Sequence, residues 1–191
     1  MNRQSRTYQR KYLRAPYRGQ VLFSENDYVF KANSLNISEG GMLLDNVGHF
    51  PDAKSLSFMI CLPHHPLFKN YNLNKILDYE NEFTPHETIR FEAKMVRKIG
   101  IDSKVDGMFQ SRIGVEIQDI NPVDQAKISD YVDVFSSNLI YLQVLIDSIN
   151  SDKNNLAKIR RVSSILGYAG HLKISYMRKI VEHDYKSLQW L

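Results

Sequence analysis

RKYLRAPYRGQVLFSENDYVFKANSLNISEGGMLLDN, residues 10–46, decides the fold. Three apolar runs lie within it: GQVLF (19–23), DYVFKANSLNI (27–37) and GGMLLDN (40–46). They partly alternate apolar with polar residues and are punctuated by Asn, Asp and Gly, the pattern of half-buried strands joined by turns. SLSFMICLP (55–63), TIRFEAKMVRKIG (88–100) and RIGVEIQDI (112–120) repeat it. Six such strands over residues 18–120 predict a small antiparallel barrel, which closes its own sheet and buries a core without a covering helix layer.

Residues 64–86, HHPLFKNYNLNKILDYENEFTPH, interrupt this rhythm with a connection long enough to be functional or mobile, in which LNKILDY has the character of a helical turn. His64, His65 and His86 sit at its ends but lack the spacing of zinc motifs, so no metal site is assigned. The period changes at Asn121-Pro122, a helix start with a capping side chain and a proline at the first helical position. Ile128, Val132, Phe135, Leu139, Leu142, Ile146 and Ile149 then follow at steps of four and three. After SDKNN (151–155), Ile159, Val162, Leu166, Ala169, Leu172, Tyr176 and Ile180 form a second amphipathic stretch. A C-terminal helical hairpin over 121–191 is expected. Because Tyr131, Val134, Ile140, Tyr141 and Leu145 add apolar surface off the seam, two readings stand side by side: the helices pack on each other within the chain, or they form a homodimer through helices 122–150 and 156–190.

A chain of 191 residues, 43% hydrophobic and 24% charged, has room for one principal core and an appendage. It lacks the ~18 consecutive apolar residues of a membrane helix. The basic start MNRQSRTYQRKYLR is not followed by a secretory apolar region, so the expected location is the cytoplasm. Cys61, the single cysteine, lies in an apolar strand and is expected to be a buried structural thiol. The net charge of +4 is concentrated at the two ends: Arg3, Arg6, Arg10, Lys11, Arg14 and Arg18 precede the first acid, and Lys158, Arg160, Arg161, Arg178 and Lys179 mark the last helices. This distribution suits an anionic partner at one or both ends, with solvated surface as the alternative reading. An enzyme fits poorly, since there is no phosphate-binding glycine loop and no nucleophile motif, and Glu182 and Asp184 beside His183 read as an exposed helix face.

Two short patterns carry chemistry. Arg10-x-x-x-Arg14 immediately precedes the first strand, and Asn36-x-Ser38-x-x-Gly41 sits at a junction of two strands. Arginine offers a flat charged fork for a phosphate or the O6/N7 edge of guanine. Asn36 offers a carbonyl acceptor for base N–H groups, Ser38 a hydroxyl, and Gly40-Gly41 let backbone and ligand approach closely. Tyr8, Tyr12 and Tyr17 are placed either to stack on a base or to pack on the barrel.

The order RxxxR, first strand, NxSxxG resembles the signature of the PilZ family, receptors for cyclic di-GMP built on a six-stranded antiparallel barrel. Lys54 to Pro63, MVRKI at 95–99 and RIGVEIQDINPVDQAKISDYV at 112–132 resemble the later family strands and the following helix. The resemblance covers about residues 7–132. It implies a fold that is mainly β with α: a flexible basic arm over 1–17, a six-stranded PilZ-type barrel over 18–120 and the helices beyond. It also implies a non-catalytic receptor that needs no cofactor. Its cyclic di-GMP site would be Arg10, Arg14, Asn36, Ser38, Gly40 and Gly41, with Gln9 and Lys11 as further candidates. Gln9 stands where the family often has an arginine tied to binding a stacked ligand dimer, which leaves stoichiometry open. A protein partner in motility, surface attachment or biofilm control would receive the signal. Two alternatives stand beside it: a PilZ-like scaffold that binds only proteins, and nucleic-acid binding through the basic C-terminal helix.

Overall fold

The computed structural model describes residues 11–47, 55–79, 86–99, 112–170 and 172–189. Among the described residues seven strands are formed: β1 (Ala15–Pro16), β2 (Gln20–Glu25), β3 (Tyr28–Ser38), β4 (Gly41–Asp45), β5 (Leu56–Pro63), β6 (His86–Ile99) and β7 (Arg112–Ile120). All pairings are antiparallel, in the order β3-β2-β5-β6-β7-β4, and β4 returns to β3 to close a six-stranded barrel. The seventh strand, β1, was not foreseen. It continues the edge of β3 beyond β2, with Ala15 opposite Ile37 and Pro16 opposite Asn36. The last residues of the basic arm are thus hydrogen-bonded to the barrel.

Strict alternation builds the barrel interior. In β5, Leu56, Phe58, Ile60 and Leu62 point inward, each no more than 3% exposed. The intervening Cys61 therefore faces outward and is exposed, which corrects the expectation of a buried thiol: position in the pleat outranks the apolar run around it. Phe30, Phe23, Phe58 and Phe91 stand directly opposite one another on four neighbouring strands. Their ring centroids are 5.4, 5.6 and 5.5 Å apart. Such cross-strand aromatic pairs add ~0.5–1.5 kcal/mol each beyond area burial and fix the register of the sheet.

Four helices complete the described structure: α1 (Leu73–Leu77), α2 (Pro122–Asp147), α3 (Asn155–Ile165) and α4 (Ile174–Gln189). Asn121 caps α2, its side chain accepting from the Asp124 N–H at 2.8 Å. The α2 seam from Ile128 to Ile146 is buried throughout. The second amphipathic stretch is not one helix but two. Gly167, at φ +78°, ends α3 in a Schellman motif: the Tyr168 N–H bonds to Ser163 O and the Gly167 N–H to Ser164 O. The break resets the helical phase, so the seam predicted through Ala169, Tyr176 and Ile180 is replaced by Met177, Val181 and Leu188. Tyr176 is instead 60% exposed.

The long connection is tied down where it is described. Its 3-10 turn (Phe68–Asn70) and α1 bury Phe68 and Ile76 completely. Asn138 of α2, 1% exposed, donates to Pro66 O at 2.8 Å and accepts from the Phe68 N–H at 3.0 Å. At the start of this connection burial, reinforced by the nearby His64 and His86, lowers the pKa of His65 to about 4. Among the described residues no three His, Cys, Asp or Glu side chains converge as a metal site would require, and no helix is long and apolar enough to cross a membrane.

Candidate functional site

The site begins with an irregularity in β3. Its inward residues are even-numbered up to Ser34, which is 1% exposed and opposite Leu44. The register then shifts, because Asn36, not Leu35, pairs with the next β4 residue, Leu43. This one-residue bulge turns the phase over, so Ile37 points into the core at 0% exposure while Asn36 and Ser38 lie on the opposite face of β3, Asn36 half-buried and Ser38 only 4% exposed. Without it, both motif side chains would be buried inside the barrel.

The turn after β3 is held from three directions. Ser38 Oγ donates to Gly41 O at 3.0 Å, the Ile117 N–H of β7 donates to Gly40 O at 3.1 Å, and Ser129 of α2 donates to Glu39 Oε1 at 3.2 Å. Gly41 has φ +154°, and a Cβ there would lie 2.1 Å from Val115 O, so glycine is required by conformation and by space. Gly40 serves a different purpose. The Tyr12 ring lies over it, 2.6 Å from where its Cβ would be, with the Lys11 ammonium 4.9 Å from that ring's centroid.

β1 brings the arm to this turn. Its pairing places Arg14, one residue before Ala15, alongside the end of β3 that carries Asn36 and Ser38. Tyr131 of α2 fixes β1 by donating to Pro16 O at 2.8 Å. Tyr17 is buried, donates to Cys61 O at 3.0 Å, and meets Tyr131 edge-on. Burial pushes the Tyr17 phenol up to about 12, so it serves packing while Tyr12 alone of the two faces the site.

A cavity of about 620 Å³, within the range of small-ligand sites, is walled by Lys11, Tyr12, Arg14, Ser38, Gly40 and Gly41 and by β7 residues such as Gln118. Asn36 opens instead into a second cavity of about 450 Å³, and Arg14 borders both. Five expected site residues, Arg14, Asn36, Ser38, Gly40 and Gly41, therefore converge, and Lys11 joins them; Gln9 and Arg10 lie outside the described residues. A larger cavity of about 650 Å³, lined by Phe23, Phe58, Phe91 and Met59, contains none of the motif residues.

Arg18, Arg112, Asp184 and the β3 bulge are features of this region that sequence reasoning did not place. Arg18 binds Asp184 of α4 at 2.7 Å and lies 4.7 Å over the Tyr168 ring, whose hydroxyl donates to the same carboxylate at 2.8 Å. Asp184 is only 8% exposed, which corrects its reading as part of an exposed helix face. The sole sequence signal was a basic residue directly after the arm. Its acidic partner lies 166 positions away and is visible only in the fold.

A family model for the PilZ domain matches residues 6–133. Among solved structures, the Bacillus subtilis inhibitor of motility MotI/DgrA is 22% identical with a TM-score of 0.46, the match covering 65% of this chain and 49% of that one. The Escherichia coli YcgR PilZ domain with c-di-GMP is 12% identical at TM-score 0.42, covering 66% and 90%. The K. pneumonia MrkH-c-di-GMP complex is 14% identical at TM-score 0.39, covering 75% and 54%. The chain thus spans about half the length of the Bacillus protein. No curated protein matches. With the family match covering most of the chain and Arg14 brought beside Asn36 and Ser38 at one barrel edge, this chain belongs to the PilZ domain family.

Proposed function

We propose that this protein is a non-catalytic receptor for cyclic di-GMP, with Arg10 and Arg14 engaging guanine and phosphate, Asn36 and Ser38 reading the base and its neighbouring phosphate, and Gly40 and Gly41 shaping the turn. The observation that carries this reading is the bulge of β3, which turns Asn36 and Ser38 outward beside Arg14 at the mouths of two cavities. A bulge that serves only packing has no need to present two polar side chains next to an arginine. Ligand held by the arm favours the arm-docked state and so biases what the helices present to a protein partner. Motility, surface attachment or biofilm control are the processes such an output would serve, and the cytoplasm is where the ligand would be met.

The nucleic-acid alternative is disfavoured by what the basic helix residues do. Arg160 bonds to the carbonyls of Gly170 and Leu172, Arg161 to that of Tyr79, and Arg178 to Asp147 and to Ile146 O. These guanidiniums hold the helices to one another and to the long connection. The argument for a homodimer also weakens, because off-seam Tyr131 and Leu145 are buried within the chain; Ile140 and Val144, 49% and 58% exposed, remain as its surface.

Titration calorimetry with cyclic di-GMP tests the function. The unaltered protein should bind, and Arg10→Ala or Arg14→Ala should each weaken binding by ~2–5 kcal/mol, the scale for truncating a charge-assisted contact. Equal affinity in all three proteins would remove the assignment.

A further inference from the structure

The second cavity, of about 450 Å³, is not a feature of the barrel alone. Arg14, Asn36 and Arg112 line its barrel side, and His183, Asp184 and Ser187 of α4 line the other. Three arginines, Arg14, Arg18 and Arg112, border it against one lining carboxylate, Asp184. That carboxylate is already committed to Arg18 and Tyr168, with the His183 ring nitrogen 3.2 Å from its other oxygen. Arg112 has a looser partner, Asp45 at 3.8 Å. The concavity is therefore electropositive and suited to a phosphate.

A second observation points to what else it holds. The Asn36 side-chain oxygen is buried and has no hydrogen-bond partner. A buried acceptor left unpaired is destabilising, and an N–H donor in the cavity would remove that cost. A phosphate has no such donor. Guanine has them on the same edge, and the imidazole of His183 at the cavity wall offers a flat face for its ring. The other cavity shares Arg14, so one ligand carrying two guanines and two phosphates can occupy both.

We propose that α4 is a wall of the ligand site: one guanine and its phosphate lie between Asn36, Arg112 and the His183–Ser187 face, while the other half occupies the cavity under Tyr12. This rests on the cyclic di-GMP reading and extends the site beyond the barrel. It also makes the helices direct participants in binding. Arg18, four residues after Arg14, is clamped to the same helix, so ligand occupancy and docking of α4 share one set of contacts.

The test is calorimetry on the full chain with cyclic di-GMP, and with 5′-GMP as the single-nucleotide source of the same chemistry. Ser187→Phe fills the cavity from its partly exposed α4 rim, and His183→Ala removes a side chain that is 80% exposed. Expected are at least tenfold weaker dinucleotide binding for Ser187→Phe, three- to tenfold for His183→Ala, no change for Lys179→Ala elsewhere on α4, and at least a hundredfold weaker binding of 5′-GMP. Hydrogen exchange should show ligand-dependent protection of amides 183–187. Binding by the unaltered protein that is lost in Arg14→Ala but unchanged within twofold in both α4 variants would overturn this inference and leave the receptor reading standing. Binding of 5′-GMP as tight as the dinucleotide would also overturn it. No binding of cyclic di-GMP by the unaltered protein would remove both.

Discussion

Gly40 and Gly41 are adjacent in sequence and opposite in consequence, which allows one turn to be tested twice. In Gly41→Ala, the new methyl would sit 2.1 Å from Val115 O and 3.1 Å from its carbon, both backbone atoms of the strand paired with β4. Neither can rotate aside, so β4 and β7 must separate. The φ of +154° adds strain of ~1–3 kcal/mol for an L-residue, and losing one or two ladder hydrogen bonds adds ~1 kcal/mol each. The total, ~2–5 kcal/mol, is a large part of the ~5–15 kcal/mol stability of a domain. Urea unfolding followed by circular dichroism should show a midpoint lower by ~1–2.5 M if the slope is ~2 kcal/mol/M. In Gly40→Ala, the methyl instead meets the Tyr12 ring, on a side chain that can swing away. Stability should fall by less than ~1 kcal/mol, while cyclic di-GMP binding suffers because Tyr12 no longer lies flat against the turn. An unchanged midpoint for Gly41→Ala, or equal losses for the two, would refute the steric account.

Further outcomes are expected elsewhere. The folded-state pKa of His65, about 4 against an ordinary 6.5, means that the unfolded chain takes up a proton first as pH falls; stability is complete above pH 6.5 and declines by up to ~3 kcal/mol on approach to pH 4. Chemical denaturation across that window should show the slope, and His65→Phe should flatten it. Asn138→Ala removes two hydrogen bonds and strands the Phe68 N–H and Pro66 carbonyl, costing ~2–4 kcal/mol and raising hydrogen exchange in residues 66–79. Light scattering should give the 22.2 kDa of a monomer, since the α2 seam is filled within one chain; twice that mass would put Ile140 and Val144 in an interface.

What the sequence disclosed, and what it withheld, follows from the range of the forces involved. All six apolar runs became strands, and Asn121 caps α2 as predicted, because alternation and capping are decided within a few residues. β1 was missed because two residues, one of them proline, carry no period and are held by β3 and by Tyr131. The helix break at Gly167 was legible in principle, through the glycine itself, but an unbroken apolar spacing through Leu166 and Ala169 concealed it. The bulge at Leu35 left no local mark, since NSLNIS alternates acceptably in either phase; only the partner strand reveals which way Asn36 points. The α4 side of the second cavity depends on the pairing of Arg18 with Asp184, a contact between the two ends of the chain.

The central claim is that the ligand lies against the bulged end of β3 and the arm. An amide chemical-shift titration of the full chain with cyclic di-GMP tests it most directly, because three competing surfaces report separately. The account predicts saturable shifts at Arg14, at residues 36–41 and at 183–187, with little change at residues 57–59 or 158–161. Shifts confined to the phenylalanine-lined cavity around Phe23, Phe58 and Phe91, or to the basic turns of α3, would contradict it.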